Sequence, residues 1–201
     1  MNQALFWKIA GSVIGIGVVA GLFFAILGWP AGIPFYMGAL VGGFVAAAGG
    51  LMGLWAFLLL NYIFRSFLPF RVWMWFQGVL VGFAIFDVLF YFPQVASLLP
   101  SGLALAPGNY LVYLLSPFVY AVLVGLVKAY KTNWEAFLPS VFFMSVFTAV
   151  EWLPAVVNAR QWNVAGLIWI VLSICNTYLL FTMGKTQPMV RRQSVVIQPK
   201  S

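Results

Sequence analysis

Few side chains in this sequence can act as acids, bases, nucleophiles or metal ligands. There are three acids (Asp87, Glu135 and Glu151), one thiol (Cys175) and no histidine in 201 residues. Without an imidazole, a zinc-binding H-E-x-x-H helix and a Ser–His hydrolase are both excluded. One aspartate cannot make an intramembrane aspartyl dyad. No P-loop, G-x-G-x-x-G or G-x-S-x-G run occurs. Cys175 has no basic neighbour in sequence to hold a thiolate, so an inert buried thiol is expected. No catalytic set can be assembled, and the chain is expected to be no enzyme and to need no cofactor or metal.

Composition explains the scarcity. Hydrophobic residues make up 64% of the chain and charged ones 6%, with mean hydropathy +1.04; soluble domains have about 45–50% and about 25%. So few charges cannot cover a water-facing surface, and the composition predicts an integral membrane protein. No charge falls between Lys8 and Arg65, between Asp87 and Lys128, or between Arg160 and Lys185. Segments such as Val13–Leu27 and Val141–Val150 are apolar on both parities, unlike the alternating strands of a transmembrane barrel. The backbone must then satisfy itself within each segment, as helices do.

Six spans are predicted, at about 7–27, 35–60, 72–92, 110–127, 135–152 and 164–183, forming one all-α bundle over 1–183. Pro117 in the fourth span is expected to kink it without ending it. Thr132 and Glu135 have capping-box spacing at the start of the fifth. Residues 184–201 are polar, basic and without periodicity, and are expected to form a disordered cytoplasmic tail.

The basic residues orient the bundle. Under six spans, Lys8, Arg65, Arg71, Lys128, Lys131, Lys185, Arg191, Arg192 and Lys200 share one side and Arg160 alone lies on the other. Basic flanks resist translocation, so both termini are expected in the cytoplasm. Such charges attract anionic lipid at about 1 kcal/mol each near the surface. Being dispersed along the boundary, they do not suggest nucleic acid. Arg65, Arg71, Lys128 and Lys131 are the candidate inner rim for docking a partner.

Within the spans the acids stand out. Asp87 and Glu151 lie toward the outer ends of two outward-running helices, with Arg160 in the next outer loop. A charge in hydrocarbon costs about 2.5–3.5 kcal/mol on insertion scales and usually has a partner. These three residues are the candidate outer cluster, either a structural clamp or a sensing site. Asn176, Thr177 and Gln77 are expected to bond between helices. The glycine pairs 11/15, 17/21, 38/42, 49/53 and 78/82 are expected to seat helices closely, and the tryptophans to form interfacial belts.

Several of these residues carry a resemblance. Lys128-Ala129-Tyr130-Lys131-Thr132-Asn133-Trp134-Glu135-Ala136-Phe137-Leu138-Pro139, then Phe142-Phe143-Met144 and Glu151-Trp152-Leu153-Pro154-Ala155, resemble the KinB-signalling pathway activation (KbaA) family of spore-forming bacteria. Phe86-Asp87 with Tyr91-Phe92, and Cys175-Asn176-Thr177-Tyr178, match its other recurring segments. The likeness is best over about 65–180. It implies a multipass activator partnered with a membrane sensor histidine kinase that feeds the sporulation phosphorelay, and it supplies no catalytic residues. The alternative from another class is a small transporter or channel-like protein with an acid-lined outer cavity. A transporter would usually show repeat symmetry or paired broken helices, and only Pro117 hints at a break.

The topology has a direct check. In a Cys175→Ser background, a cysteine at Ser101 should label from outside intact cells, and one at Ser194 only after permeabilisation. Labelling of both from the same side would overturn the six-span arrangement.

Overall fold

The computed structural model describes residues 3–28, 33–90, 107–152 and 166–182. Among them there is no strand. The helices are α1 (Gln3–Gly28), α2 (Ile33–Phe67), α3 (Phe70–Phe90), α4 (Pro107–Lys131), α5 (137–152) and α6 (Gly166–Thr182). A 3-10 turn, Trp134–Ala136, leads into α5, and a π-helical turn, Phe143–Phe147, interrupts it. Three segments are each long and apolar enough to cross a membrane: Ala4–Leu27, Tyr36–Phe67 and Phe70–Asp87. Their outward faces carry Val19, Phe23, Trp75, Val79 and Phe83, all exposed.

Helix α2 runs seven residues beyond the expected end at 60. Residues that read as loop bond back onto the helix: Asn61 Nδ2 donates to the Phe57 carbonyl at 3.0 Å and Ser66 Oγ to that of Tyr62 at 2.8 Å. Such back-bonding satisfies a polar side chain without leaving the helix. The chain then reverses within Leu68 and Pro69, where proline disfavours a helical residue before it. Across this tight turn Phe64 stacks on Trp73 with centroids 4.6 Å apart. Asn61 Oδ1 accepts from Trp73 Nε1 at 2.7 Å and Gln77 Nε2 at 3.2 Å. Trp73 and Trp152 are therefore buried, not belt residues, while Trp7, Trp75 and Trp134 are exposed.

The start of α5 also departs from the sequence-based expectation. The cap is Asn133, whose Oδ1 accepts from the Ala136 amide at 3.0 Å. Thr132 Oγ1 instead donates backward to the Lys128 carbonyl at 2.7 Å, closing α4. The Thr132 hydroxyl is turned toward the helix behind it, and the cap position ahead is filled by Asn133. Pro117 sits inside an unbroken α4.

Helices α1 and α2 pack antiparallel at backbone distance. A Cβ at Gly17 would lie 2.6 Å from the Gly43 carbonyl oxygen and 2.7 Å from Ala47 Cβ; one at Gly21 would lie 2.6 Å from the Ala39 carbonyl oxygen. Phe6 meets Trp55 edge-on farther along the same pair. Gly11, Gly15, Gly38, Gly42 and Gly82 have nothing within 4 Å of a would-be Cβ. Of the five glycine pairs, then, only 17/21 is closely packed at both members, and in 49/53 only Gly53 is. Helix α6 fills the centre, with Val171, Leu172, Cys175, Asn176 and Leu179 almost completely buried.

Gly17→Ala should therefore cost about 1–3 kcal/mol through overpacking. Gly11→Ala should stay within about 0.5 kcal/mol. Unfolding of the purified variants in detergent measures both.

Candidate functional site

The most polar buried contact joins α2, α5 and α6. The π-helical turn at Phe143–Phe147 adds a residue to one turn of α5 and so re-aims the residues beyond it. Thr148 and Glu151, three apart and hence on one face, both reach α6. Asn176 is completely buried there; its Nδ2 donates to Thr148 Oγ1 at 3.0 Å and to Glu151 Oε2 at 3.4 Å. The opposite wall is the glycine stretch of α2. A Cβ at Gly50 would lie 2.5 Å from Asn176 Oδ1, and one at Gly53 would overlap Glu151 Oε1. Only hydrogen at these two positions leaves room for the carboxyl and the amide.

Two oxygens here, Glu151 Oε1 and Asn176 Oδ1, lie buried without a side-chain hydrogen-bond partner. Glu151 packs near the midpoint of α2, since Gly49–Gly53 is about as far from Ile33 as from Phe67. Asp87 is half-buried on α3, and among the described residues no hydrogen bond or ion pair joins it to Glu151. Arg160 lies outside the described residues. The carboxyl that the sequence matched to Asp87 by depth is thus held by an amide of α6.

At the other end of the bundle the basic residues divide. Arg65 is exposed, with its guanidinium 5.3 Å from the Phe70 ring centroid, and Arg71 is exposed beside it. Lys131 is exposed and sits 5.5 Å from the Phe181 centroid. Lys128 is buried, and its Nζ donates to the Leu180 carbonyl at 2.9 Å. A cation at a helix C-terminus meets the last carbonyls and the negative end of the helix dipole. Lys128 therefore ties α4 to α6, leaving Arg65, Arg71 and Lys131 as the exposed part of the candidate rim. The contacts Leu138–Gly78, Val141–Gly125 and Lys128–Leu180 bring these helix ends to one end of the bundle. The interhelical bonds expected of Gln77 and Thr177 are present, to Asn61 Oδ1 at 3.2 Å and Tyr120 Oη at 2.9 Å, but sequence patterns alone do not reveal those partners or the Lys128 tie. Each joins residues whose common face is set by packing, and polarity inside an apolar span is the only signal they carry.

Among the described residues no group of three or more Cys, Asp or Glu side chains could hold a metal ion. The described residues form an all-helical fold with three membrane-length apolar helices and buried polar contacts between helices. The chain belongs to the KbaA family, described as KinB-signalling pathway activation in sporulation, whose family model matches residues 5–186. It is 27% identical over 197 residues to the KinB-signaling pathway activation protein of Bacillus subtilis (strain 168), covering 90% of this chain and 89% of that one. No solved structure matches.

The glycine wall can be tested by a double-mutant cycle. Gly53→Ala should destabilise by about 1–3 kcal/mol, while Gly49→Ala, whose Cβ would sit 3.9 Å from the Glu151 carboxyl carbon, should cost far less. In a Glu151→Ala background most of the Gly53→Ala penalty should vanish, because the two changes meet at one contact.

Proposed function

We propose that the protein spans the membrane six times with both termini in the cytoplasm, and activates a membrane sensor histidine kinase of the KinB type by direct contact. It performs no chemistry of its own; it binds the kinase's membrane and juxtamembrane segments. The observation that carries this reading is the family match over 5–186, which takes in nearly all of the six helices. Two features of the chain support it. The exposed Arg65, Arg71 and Lys131 gather at one end of the bundle, suited to an acidic juxtamembrane segment and to anionic lipid. The outward faces of α1–α3 are apolar along their length, as lipid or a partner's transmembrane helix requires. Activation results if the protein binds the active kinase more tightly than the inactive one, since differential affinity alone shifts such an equilibrium.

The test is reconstitution. The tagged full-length protein should co-purify with the kinase from native membranes. In vesicles of fixed lipid composition it should raise kinase autophosphorylation about 5–150-fold, the span of ordinary coupling energies. The Arg65→Gln/Arg71→Gln/Lys131→Gln variant should lose most of that gain at equal abundance. Absence of co-purification together with unchanged autophosphorylation would overturn direct contact.

A further inference from the structure

We propose that the outward face of α3 docks a transmembrane helix of the partner kinase, through a lysine or arginine on that helix set against Asp87. The inference rests on the kinase reading above, and names where that contact is made and by which group. Of the three membrane-length segments, the one in α3 is least covered by its own chain: 11% of it is buried, against 39% for that of α1 and 33% for that of α2. Val79, Phe83, Phe86 and Phe90 recur along α3 at three- and four-residue spacing, and all are exposed. Gly82 is exposed within this row, with nothing within 4 Å of a would-be Cβ. It leaves a notch in the aromatic ridge where another backbone can come close. Its companion Gly78 looks the other way, with its would-be Cβ 3.7 Å from Leu138 of α5.

Lipid tails would cover such a face, but they cannot answer the carboxylate beside it. Asp87 is half-buried, and among the described residues it makes no hydrogen bond or ion pair. It lies 16 residues beyond Arg71, about 24 Å along α3 at about 1.5 Å per residue. With Arg71 at one boundary of a hydrocarbon core of about 30 Å, Asp87 is still inside it. A charge at that depth is costly and is ordinarily paired. Arg65, Arg71, Lys128 and Lys131 belong to the opposite end of the bundle, and residues 72–127 contain no lysine or arginine. Residues 132–184 contain one, Arg160, which lies outside the described residues. A second copy of this chain would bring only the same Arg160 to this level. Apart from it, a counter-charge must come from another protein. The surroundings suit a cation, because Phe86 and Phe90 stack beside Asp87 with centroids 4.5 Å apart. A lysine or arginine paired with the carboxylate can also lie against these rings, an attraction that grows away from water.

The experiment follows capture of the kinase by the tagged full-length protein from native membranes, at equal abundance of both. Asp87→Asn keeps the shape and removes the charge. It should lower capture at least about tenfold, as removal of one partner from a desolvated charge pair does. Asp87→Glu should keep most of the capture. Exchanging one particular lysine or arginine of a kinase transmembrane helix for glutamine should cause the same loss, and adding Asp87→Asn to it should change little more. Benzoylphenylalanine in place of Phe83 should cross-link to that helix, whereas in place of Phe23, exposed on α1, it should not. The cross-link and the kinase-side exchange leave Asp87 intact, so they decide the matter even if Asp87→Asn does not accumulate. Capture by the wild type that survives Asp87→Asn unchanged would overturn this proposal and leave the kinase reading standing. Absence of capture by the wild type would overturn both. An equal loss from Arg160→Gln would assign the counter-charge to this chain and overturn the proposal, as would cross-linking from Phe83 only to lipid or to a second copy.

Discussion

Helices surrounded by hydrocarbon gain little from burying apolar side chains against one another, because lipid is as apolar as leucine. Three helices of this bundle are long and apolar enough to cross a membrane, and that constraint bears on how they can be held. What remains is close backbone approach and hydrogen bonding, and both occur at particular places. Helices α1 and α2 meet where Gly17, Gly21, Ala39 and Gly43 let main chains touch. Helix α6 is fixed by polar ties on two sides: Asn176 to α5, and Thr177 to Tyr120 of α4, where the Leu180 carbonyl also takes Lys128. The apolar residues between these ties fill space without choosing partners.

This division accounts for what is legible in the sequence. Helical character shows in long uncharged stretches apolar on both parities, and the family in short segments in order and spacing. Helix ends are harder to read. Polarity suggests that α2 stops near 60, yet Asn61 and Ser66 direct their hydrogen bonds to the helix itself and carry it to Phe67. Thr132 fails as a cap for a similar reason, because its hydroxyl serves the helix behind it and Asn133 caps the one ahead. Composition records that a residue is polar, not which backbone group it will face.

The site shows the same boundary. Sequence flags Glu151 as a costly group in need of a partner and Asn176 as an interhelical bonder, but it matches Glu151 to Asp87 by depth along ideal spans. Depth says nothing about rotation. The π-helical turn at Phe143–Phe147 turns the end of α5 relative to an ideal helix, and Glu151 meets α6 and the glycines of α2. By spacing alone, the Gly49/Gly53 pair reads as a seat for another helix's backbone. It is a seat for a carboxyl.

The length of α2 has a mechanical consequence. Its 35 residues extend about 52 Å at about 1.5 Å per residue, against a hydrocarbon core of about 30 Å. Gly53 sits near its middle, and the stretch from there to Phe67 is a stiff arm of about 21 Å. The two-residue turn and the Asn61–Trp73–Gln77 bridge clip the far end of that arm to α3. With the carboxyl niche as fulcrum, a tilt of about 5° would carry Phe67, and the start of α3 with it, sideways by about 2 Å. Displacements of about 1–2 Å are those by which helices at subunit interfaces switch state. A change too small to rebuild the niche would thus be delivered, at useful amplitude, to the end of the bundle that carries Arg65 and Arg71.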